Sequence, residues 1–367
     1  MRTLFGSALL CAVTLSGAEP NGYVGSQACA ACHPTQYSRQ SKSAHARSLY
    51  PAAQHPLAGF FTPADAVVRP PNFHFLFRRS AEGLQVRADD GQYVMELPLD
   101  WAFGAGEHAV TFVSRVDNEF YLEHSLSYYP DIRSFDLTPR HEELPAGTLQ
   151  QAMGQPLRIQ SPRFTAVDCF QCHSTGPVSV GAAGRIEVTE PGVRCEVCHG
   201  PGRLHREAAL RGDLAQVRQL IQKPSRLSSE ELNRSCGRCH RVMSGDSASF
   251  NWDSPWNVRH QPPYLVQSRC FRDSAGQLSC LTCHDPHDPV RRNDPAYYRV
   301  RCNGCHRTGH HPPQRICLEE KDPDCTSCHM PLVTASQHLK FKNHWIGIYQ
   351  KGAPLKPLAR AKGGSPN

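Results

Sequence analysis

Residues 195–205 read Cys-Glu-Val-Cys-His-Gly-Pro-Gly-Arg-Leu-His, and the first five positions of this stretch recur through the chain. Two cysteines three positions apart, closed by a histidine, appear as Cys29/Cys32/His33, Cys169/Cys172/His173, Cys195/Cys198/His199, Cys236/Cys239/His240, Cys280/Cys283/His284, Cys302/Cys305/His306 and Cys325/Cys328/His329. These seven repeats use 14 of the 17 cysteines. With 20 His in 367 residues, composition alone would place His after all seven pairs with odds of roughly one in a billion. Disulfide scaffolds are the ordinary reading of a cysteine-rich exported chain, and zinc ribbons also use paired cysteines. Neither requires the invariable histidine. Cys-x-x-Cys-His is the attachment signature of c-type haem. Residues three apart share one face of a helical turn, so both sulfurs reach the two vinyl groups of one porphyrin. The adjacent imidazole then ligates the iron from the proximal side. Seven covalently bound haem c groups are expected.

The N-terminus explains where attachment takes place. Met1 and Arg2 precede a short apolar run from Leu4 to Leu15, with small residues at Ser16 and Ala18. This pattern predicts a secretory signal peptide over residues 1–18, cleaved after Ala18. A lipoprotein site at Cys11 fits less well, because bulky Leu9 and Leu10 precede it. No later stretch reaches membrane-spanning length, so no transmembrane segment is expected after cleavage. The mature protein is expected in the periplasm or on the cell surface of a bacterium. Its basic balance consists of 32 Arg against 8 Lys, and loss of Arg2 lowers the formal charge from +7 to +6. Haem propionates offset that excess, which removes the case for nucleic acid as a partner. Arginine pairs bidentately with carboxylates, so some of these side chains suit propionates, although an arginine-rich codon bias explains the excess equally well.

The repeats are unevenly spread. Residues 60–165 contain no cysteine, whereas 166–345 hold six motifs. We therefore expect an N-terminal haem segment (19–59), a β-rich haem-free module (60–165), a six-haem domain (166–345) and a C-terminal tail (346–367) with a disordered end. Within the module, Leu84 to Ala88 and Tyr93 to Leu97 flank the hairpin signal Asp89-Asp90-Gly91, and Ala109 to Arg115 and Glu119 to His124 flank Asp117-Asn118. In the six-haem domain hydrophobic periodicity is weak, so haem faces must supply the core. Short helices should carry the motifs; Ser228 and Glu231 have capping-box spacing before Cys236. One helix is predicted from about His205 to Gln222. The fold class is thus a multihaem cytochrome of loops and short α-helices around packed haems, with an inserted antiparallel β-rich module. Cys270 and Cys317 remain unassigned, and an even pair of exported thiols predicts a disulfide.

Thirteen histidines lie outside the motifs. A histidine on the distal side closes the iron for electron transfer, whereas an open position allows chemistry on a small molecule. The candidate distal ligands are His45, His205, His287, His338 and His344, followed by His260 and His310 or His311. His287 follows His284 by three residues and His205 follows His199 by six, so each suits a neighbouring haem better than its own. His74, His108, His124 and His141 belong to the β-rich module and read as structural.

Tyr23-Val-Gly-Ser-Gln-Ala-Cys-Ala-Ala-Cys-His33, followed by His45, resembles the opening segment of multihaem cytochromes related to the nitrifiers' tetrahaem electron carrier. A more distant member of that group is octahaem hydroxylamine oxidoreductase. Cys195-Glu-Val-Cys-His-Gly-Pro-Gly202 with His205, Cys280-Leu-Thr-Cys-His-Asp-Pro-His287 and Cys325-Thr-Ser-Cys-His-Met-Pro331 are similar to its recurrent motifs. The resemblance covers residues 23–59 and about 166–345, and implies that His205 and His287 are distal ligands to nearby haems. It does not reach the β-rich module, so it implies no partner or substrate. No motif carries Lys in place of the proximal His, as multihaem nitrite reductases do, and no counterpart to the tyrosine crosslink of hydroxylamine oxidoreductase stands out.

The expected function is electron transfer between redox partners, either other redox proteins or membrane quinone-linked complexes. The alternatives are a multihaem oxidoreductase acting on a small nitrogen or sulfur compound at one five-coordinate haem, and a subunit of an extracellular cytochrome filament. The oligomeric state is left open. Mass spectrometry of the purified protein should show seven haem adducts on one chain; fewer would remove the corresponding motifs from the count.

Overall fold

The computed structural model describes residues 22–241, 250–306 and 324–358. The expected signal peptide, His310, His311, Cys317 and the last part of the tail lie outside these residues, and with Cys317 goes the expected partner of Cys270.

Alternation builds the haem-free module. In β3 (Phe73–Ser80), Phe73, Phe75 and Phe77 are buried while His74 and Arg78 face outward, as the two-residue period of a strand requires. Strand β2 (Val67–Arg69) pairs with one edge of β3, and β4 (Gly83–Asp89) with the other. Leu84, Val86 and Ala88 of β4 add to the same apolar face. The turn into β5 (Val94–Leu99) is held by Asp90, whose carboxylate accepts from the amides of Gln92 and Tyr93 at 2.9 and 2.7 Å. Gly91 follows at φ +87°, a conformation that favours glycine there.

A second antiparallel sheet packs against the first. Its order is β1 (Leu49–Pro51), β6 (Trp101–Phe103), β7 (Val110–Arg115), β8 (Phe120–Tyr129) and β10 (Gly154–Arg158), with β9 (Ser134–Leu137) also paired to β8. Both expected hairpins are present, as β4–β5 and β7–β8. The two sheets enclose an aromatic core in which Phe77 stacks on Phe135 at 4.0 Å and Phe61 meets Phe112 edge-on at 4.9 Å. The other face of the second sheet is also covered: Leu49, Phe103, Tyr121 and Leu157 pack on Phe170 and Ile186. That two-sided cover explains why β8 is almost continuously buried instead of alternating.

This second core joins the module to the haem region. Phe170 lies on α4 (Ala166–His173), the helix of the second motif, and Ile186 begins β12 (Ile186–Pro191), which pairs with β11 (Ser174–Val180). The sheet also draws on the N-terminal segment, since β1 precedes residue 60 and pairs with β6. That pairing and the β11–β12 hairpin between the second and third motifs had no clear signal in the sequence.

Elsewhere helices are short: α1 (Ser26–Ala30) and α2 (Pro34–Gln40) flank the first motif, and α3 (Leu149–Met153) supports the sheets. Helix α5 (Cys195–His199) is the third motif itself. The single helix expected from His205 to Gln222 is two, α6 (Arg203–Leu210) and α7 (Leu214–Gln219). Gly212, at φ +74°, breaks the run, and the Asp213 carboxylate caps the second helix through the Gln216 amide. Helix α8 (Ser229–His240) has the expected Ser228/Glu231 capping box and carries the fourth motif. There follow α9 (Gln261–Gln267), α10 (Arg269–Asp273) with Cys270, α11 (Cys280–Cys283), α12 (Pro295–His306) and α13 (Cys325–His329). A final hairpin, β13 (Leu332–Thr334) with β14 (Lys340–Lys342), closes the chain.

One buried carboxylate ties the N-terminal segment to the third motif. Glu196 is 3% exposed and accepts from the amides of Val24 at 3.0 Å, Gly25 at 2.8 Å and Gly202 at 2.7 Å. Glu196→Ala would leave three amides without an acceptor, at about 1–3 kcal/mol each. The variant should lower the thermal midpoint and make residues 22–25 susceptible to proteolysis; an unchanged midpoint would contradict this role for Glu196.

Candidate haem centres

The motif sulfurs are placed for attachment. None of the 14 is buried: Cys32, Cys198, Cys239, Cys305 and Cys328 are exposed and the others partly so. Each sits on or beside a short helix, which gives both sulfurs of a pair one common face.

Four of the seven motif histidines face a second histidine drawn from a different segment. His33 lies opposite His205 with ring centroids 6.3 Å apart, His199 opposite His287 at 6.1 Å, His240 opposite His45 at 6.0 Å and His284 opposite His344 at 6.3 Å. An imidazole–metal bond of about 2.0–2.1 Å, plus roughly 1.1 Å from ring nitrogen to ring centre, puts two axial rings about 6.3 Å apart. The observed separations match that value and exceed direct ring contact. Among the described residues, the facing histidine pairs do not include His173, His306 or His329.

Hydrogen bonds orient these rings. Among the motif histidines, the Nδ1 groups of His173, His199 and His329 donate to the carbonyls of Ser48, Gln222 and Gly347 at 3.1, 2.9 and 2.8 Å. His240 Nδ1 donates to Gln261 Oε1 at 2.9 Å. Opposite them, His205 donates to the Val217 carbonyl at 2.9 Å, His344 to the Lys342 carbonyl at 3.0 Å, and His287 to Asp285 Oδ1 at 3.0 Å. A carbonyl only accepts, so Nδ1 holds the proton and Nε2 keeps its lone pair for a metal. Such outer partners fix the tautomer and raise the basicity of the ligand. Burial favours the same neutral form: it depresses the pKa values of His173, His240 and His284 and brings His45 and His344 down to about 4.

Other histidines are engaged through Nε2. His338 Nε2 lies 2.7 Å from Asp136 and its Nδ1 3.5 Å from Asp131, with the ring 4.3 Å from Tyr129. It ties the C-terminal hairpin to β9, and neither ring nitrogen points at a motif histidine. His124 Nε2 meets the Ser114 hydroxyl at 2.7 Å, and His141 Nε2 the Glu123 carboxylate at 3.3 Å. His74 projects into solvent from β3 and His108 lies against Phe341. His260 is buried before α9, and burial holds its pKa at about 4.

Arginine takes part in the positioning. Arg39 on α2 pairs with Asp285 at 2.7 Å and with Asp288, fixing the loop that presents His287 to His199. Beside the fourth motif, Trp256 Nε1, Arg259 Nε and the Tyr264 hydroxyl are buried donors without an acceptor among the described residues. Orphaned donors of this kind suit an acidic group such as a haem propionate. The donor set, its spacing and its tautomers fit haem.

Comparison with known proteins agrees. A model of the family "Cytochrome c554 and c-prime" matches residues 141–200. Multiheme cytochrome MtrA of Shewanella baltica is 26% identical over 45% of this chain and 46% of its own length. Dissimilatory sulfite reductase MccA of Wolinella succinogenes is 23% identical over 87% of this chain and 52% of its own. C-type polyheme cytochrome OmcC of Geobacter sulfurreducens is 25% identical over 44% and 25%. The chain thus spans about half or less of the length of these relatives. The crystal structure of outer cell wall cytochrome OcwA superposes with a TM-score of 0.51 at 15% identity, over 89% of this chain and 79% of that one.

The partner of His240 offers a test of this outer shell. Gln261→Leu removes the acceptor at His240 Nδ1, so the imidazole becomes a poorer donor and stabilises the ferric state less. One haem should rise in reduction potential in a spectroelectrochemical titration while the number of attached haems stays unchanged. Repeated motif, imidazole spacing and relatives together give this chain the attachment and ligand features of the multihaem c-type cytochromes it resembles.

Proposed function

We propose that this protein is an exported heptahaem electron carrier, passing electrons between redox partners through closely packed haems. The observation that carries the reading is the set of four facing histidine pairs at 6.0–6.3 Å. When bound, each haem supplies a one-electron iron couple. Every other requirement falls on the chain. Cys29/Cys32, Cys169/Cys172, Cys195/Cys198, Cys236/Cys239, Cys280/Cys283, Cys302/Cys305 and Cys325/Cys328 hold the groups covalently. His33, His173, His199, His240, His284, His306 and His329 are the proximal ligands, and His205, His287, His45 and His344 close four irons from the distal side. Two imidazoles bind both oxidation states in the same geometry, so little ligand rearrangement opposes transfer. His338, with both nitrogens facing carboxylates, we assign to anchoring instead of ligation. We propose a kinship with the nitrifier tetrahaem carrier and, more distantly, with octahaem hydroxylamine oxidoreductase, on the strength of the similar haem segments.

Partners of this class are redox proteins or membrane quinone-linked complexes. No helix among the described residues is long and apolar enough to cross a membrane. The relatives include proteins named as multihaem and polyhaem cytochromes and one named as an outer cell wall cytochrome, and we place this chain in the periplasm or at the cell surface.

One observation favours a second reading. The relative matched over most of this chain is a sulfite reductase, and the facing histidine pairs among the described residues do not include His173, His306 or His329. A five-coordinate haem at one of them would suit reduction of a small nitrogen or sulfur compound. Electron paramagnetic resonance of the oxidised protein separates the two: only low-spin iron supports the carrier, and a native high-spin signal with sulfite or nitrite turnover supports the enzyme. His205→Ala should convert one haem to high spin with seven haems still attached; no new high-spin signal would remove His205 from the ligand set.

A further inference from the structure

The motifs touch one another in a definite order, and that order is not the order of the sequence. The first and third are joined by Glu196 and by a hydrogen-bonding contact between Cys29 and Cys195. Third and fourth meet where Arg238 of α8 donates to the Val197 carbonyl at 3.2 Å. The fourth reaches the fifth through contact of Cys236 with Cys280, with Cys280 Sγ 3.9 Å from Asn233 and the Ser229 hydroxyl 2.8 Å from the Leu278 carbonyl. The fifth meets the sixth where Tyr298 of α12 packs edge-on against His284 at 6.0 Å and Cys283 lies near Cys305. Contact of Cys302 with Cys325 joins the sixth to the seventh.

The second motif stands apart from this file. One turn of chain ties it to the fourth motif: His45 faces His240, and Ser48, whose amide donates to the His45 carbonyl at 3.2 Å, holds His173; Cys172 and Cys239 interact on the same side. Phe103 of β6 meets the His173 ring edge-on at 5.2 Å, and Ser48, just before β1, binds it at both ends: its carbonyl accepts from Nδ1 and its hydroxyl donates to the His173 carbonyl at 3.2 Å. The fourth motif thus has three neighbours, whereas the second, first and seventh have one each among the described residues.

Touching sulfurs belong to thioether-forming side chains, so the porphyrin edges they hold must also lie close, near the van der Waals limit. We propose that the haems form a branched chain, running from motif one through three, four, five and six to seven. Motif four is the junction, and motif two is a spur against the β-rich module. This rests on the haem reading above and adds to it. A linear file has two ends through which electrons enter or leave; this arrangement has three, at Cys29–His33, Cys325–His329 and Cys169–His173. The module, covering one side of the spur through β1 and β6, makes that end a separate exchange point with its own surroundings.

Anomalous scattering at the iron edge, measured on crystals of the intact holoprotein, tests the branch directly. Seven peaks should appear as a file of six with one further iron beside the third. An unbranched file, or a branch at another position, overturns the proposal while leaving the haem reading intact. Absence of iron peaks overturns the haem reading itself. A solution variant gives a second readout: His45→Met alters the iron of the junction and should shift the midpoint potentials of three other haems, whereas His205→Met at the first motif should shift one. Equal numbers of shifted haems in the two variants would contradict a junction at the fourth motif.

Discussion

Imidazoles from separate parts of the chain stand about 6 Å apart, and that gap organises the whole haem region. His205 lies in the segment of the third motif yet faces His33 of the first; His45, from the first, faces His240 of the fourth; His344, beyond the seventh, faces His284 of the fifth. Each pair requires the backbone on both sides to be held in register across a space that a porphyrin would fill. The hydrogen bonds from Nδ1, the Arg39 pairs and the Glu196 carboxylate have a common purpose: they hold rings and loops at fixed separations where little apolar side-chain packing exists. The larger apolar core lies between the two sheets of the module, its covered outer face meets the motif region at Ala166, Phe170 and Ile186, and a smaller cluster at Val258, Tyr264 and Val333 lies among the later motifs.

How much of this was legible beforehand follows from the range over which each signal acts. Attachment motifs, hairpin turns and the Ser228/Glu231 cap are contacts within a few residues, and they are written in adjacent letters. The β4–β5 and β7–β8 hairpins follow the same rule. A break in a helix is equally local, but the Ala, Leu and Arg content of residues 205–222 favours one helix, whereas Gly212 at φ +74° divides it in two. Strand β1 is a different case: three residues pair with β6 some fifty positions away, and no local pattern marks so short a strand.

Distal histidines show the limit more sharply. That His205 and His287 face a histidine of another motif was legible because each follows its own motif too closely to reach the far side of that motif's haem. His338 had equal composition and a similar position, yet it sits between Asp131 and Asp136. Nothing near residue 338 encodes that outcome, because the two carboxylates come from the other end of the chain. What separates the groups is which nitrogen the protein occupies. The facing histidines whose hydrogen bonds are seen are engaged at Nδ1, whereas His338, His124 and His141 are engaged at Nε2. Tautomer, set by a distant acceptor, is a tertiary property.

The same long-range pairing has a consequence for how the protein must be made. Loop closure between residues 45 and 240, or 33 and 205, is entropically opposed and is not repaid by a local apolar cluster. The module has its own two-sheet core and carries that burden alone, but helices of five to twelve residues around the motifs do not. In the haem region, beside the small cluster at Val258, Tyr264 and Val333, porphyrin faces and metal–imidazole bonds joining the segments would supply the energy that offsets chain ordering. Attachment through sulfur must then come first, because it needs only one helical turn, and distal closure must come later, because it needs two parts of the chain at once. The proximal histidine is therefore adjacent to its cysteines in sequence, while the distal one is free to come from elsewhere.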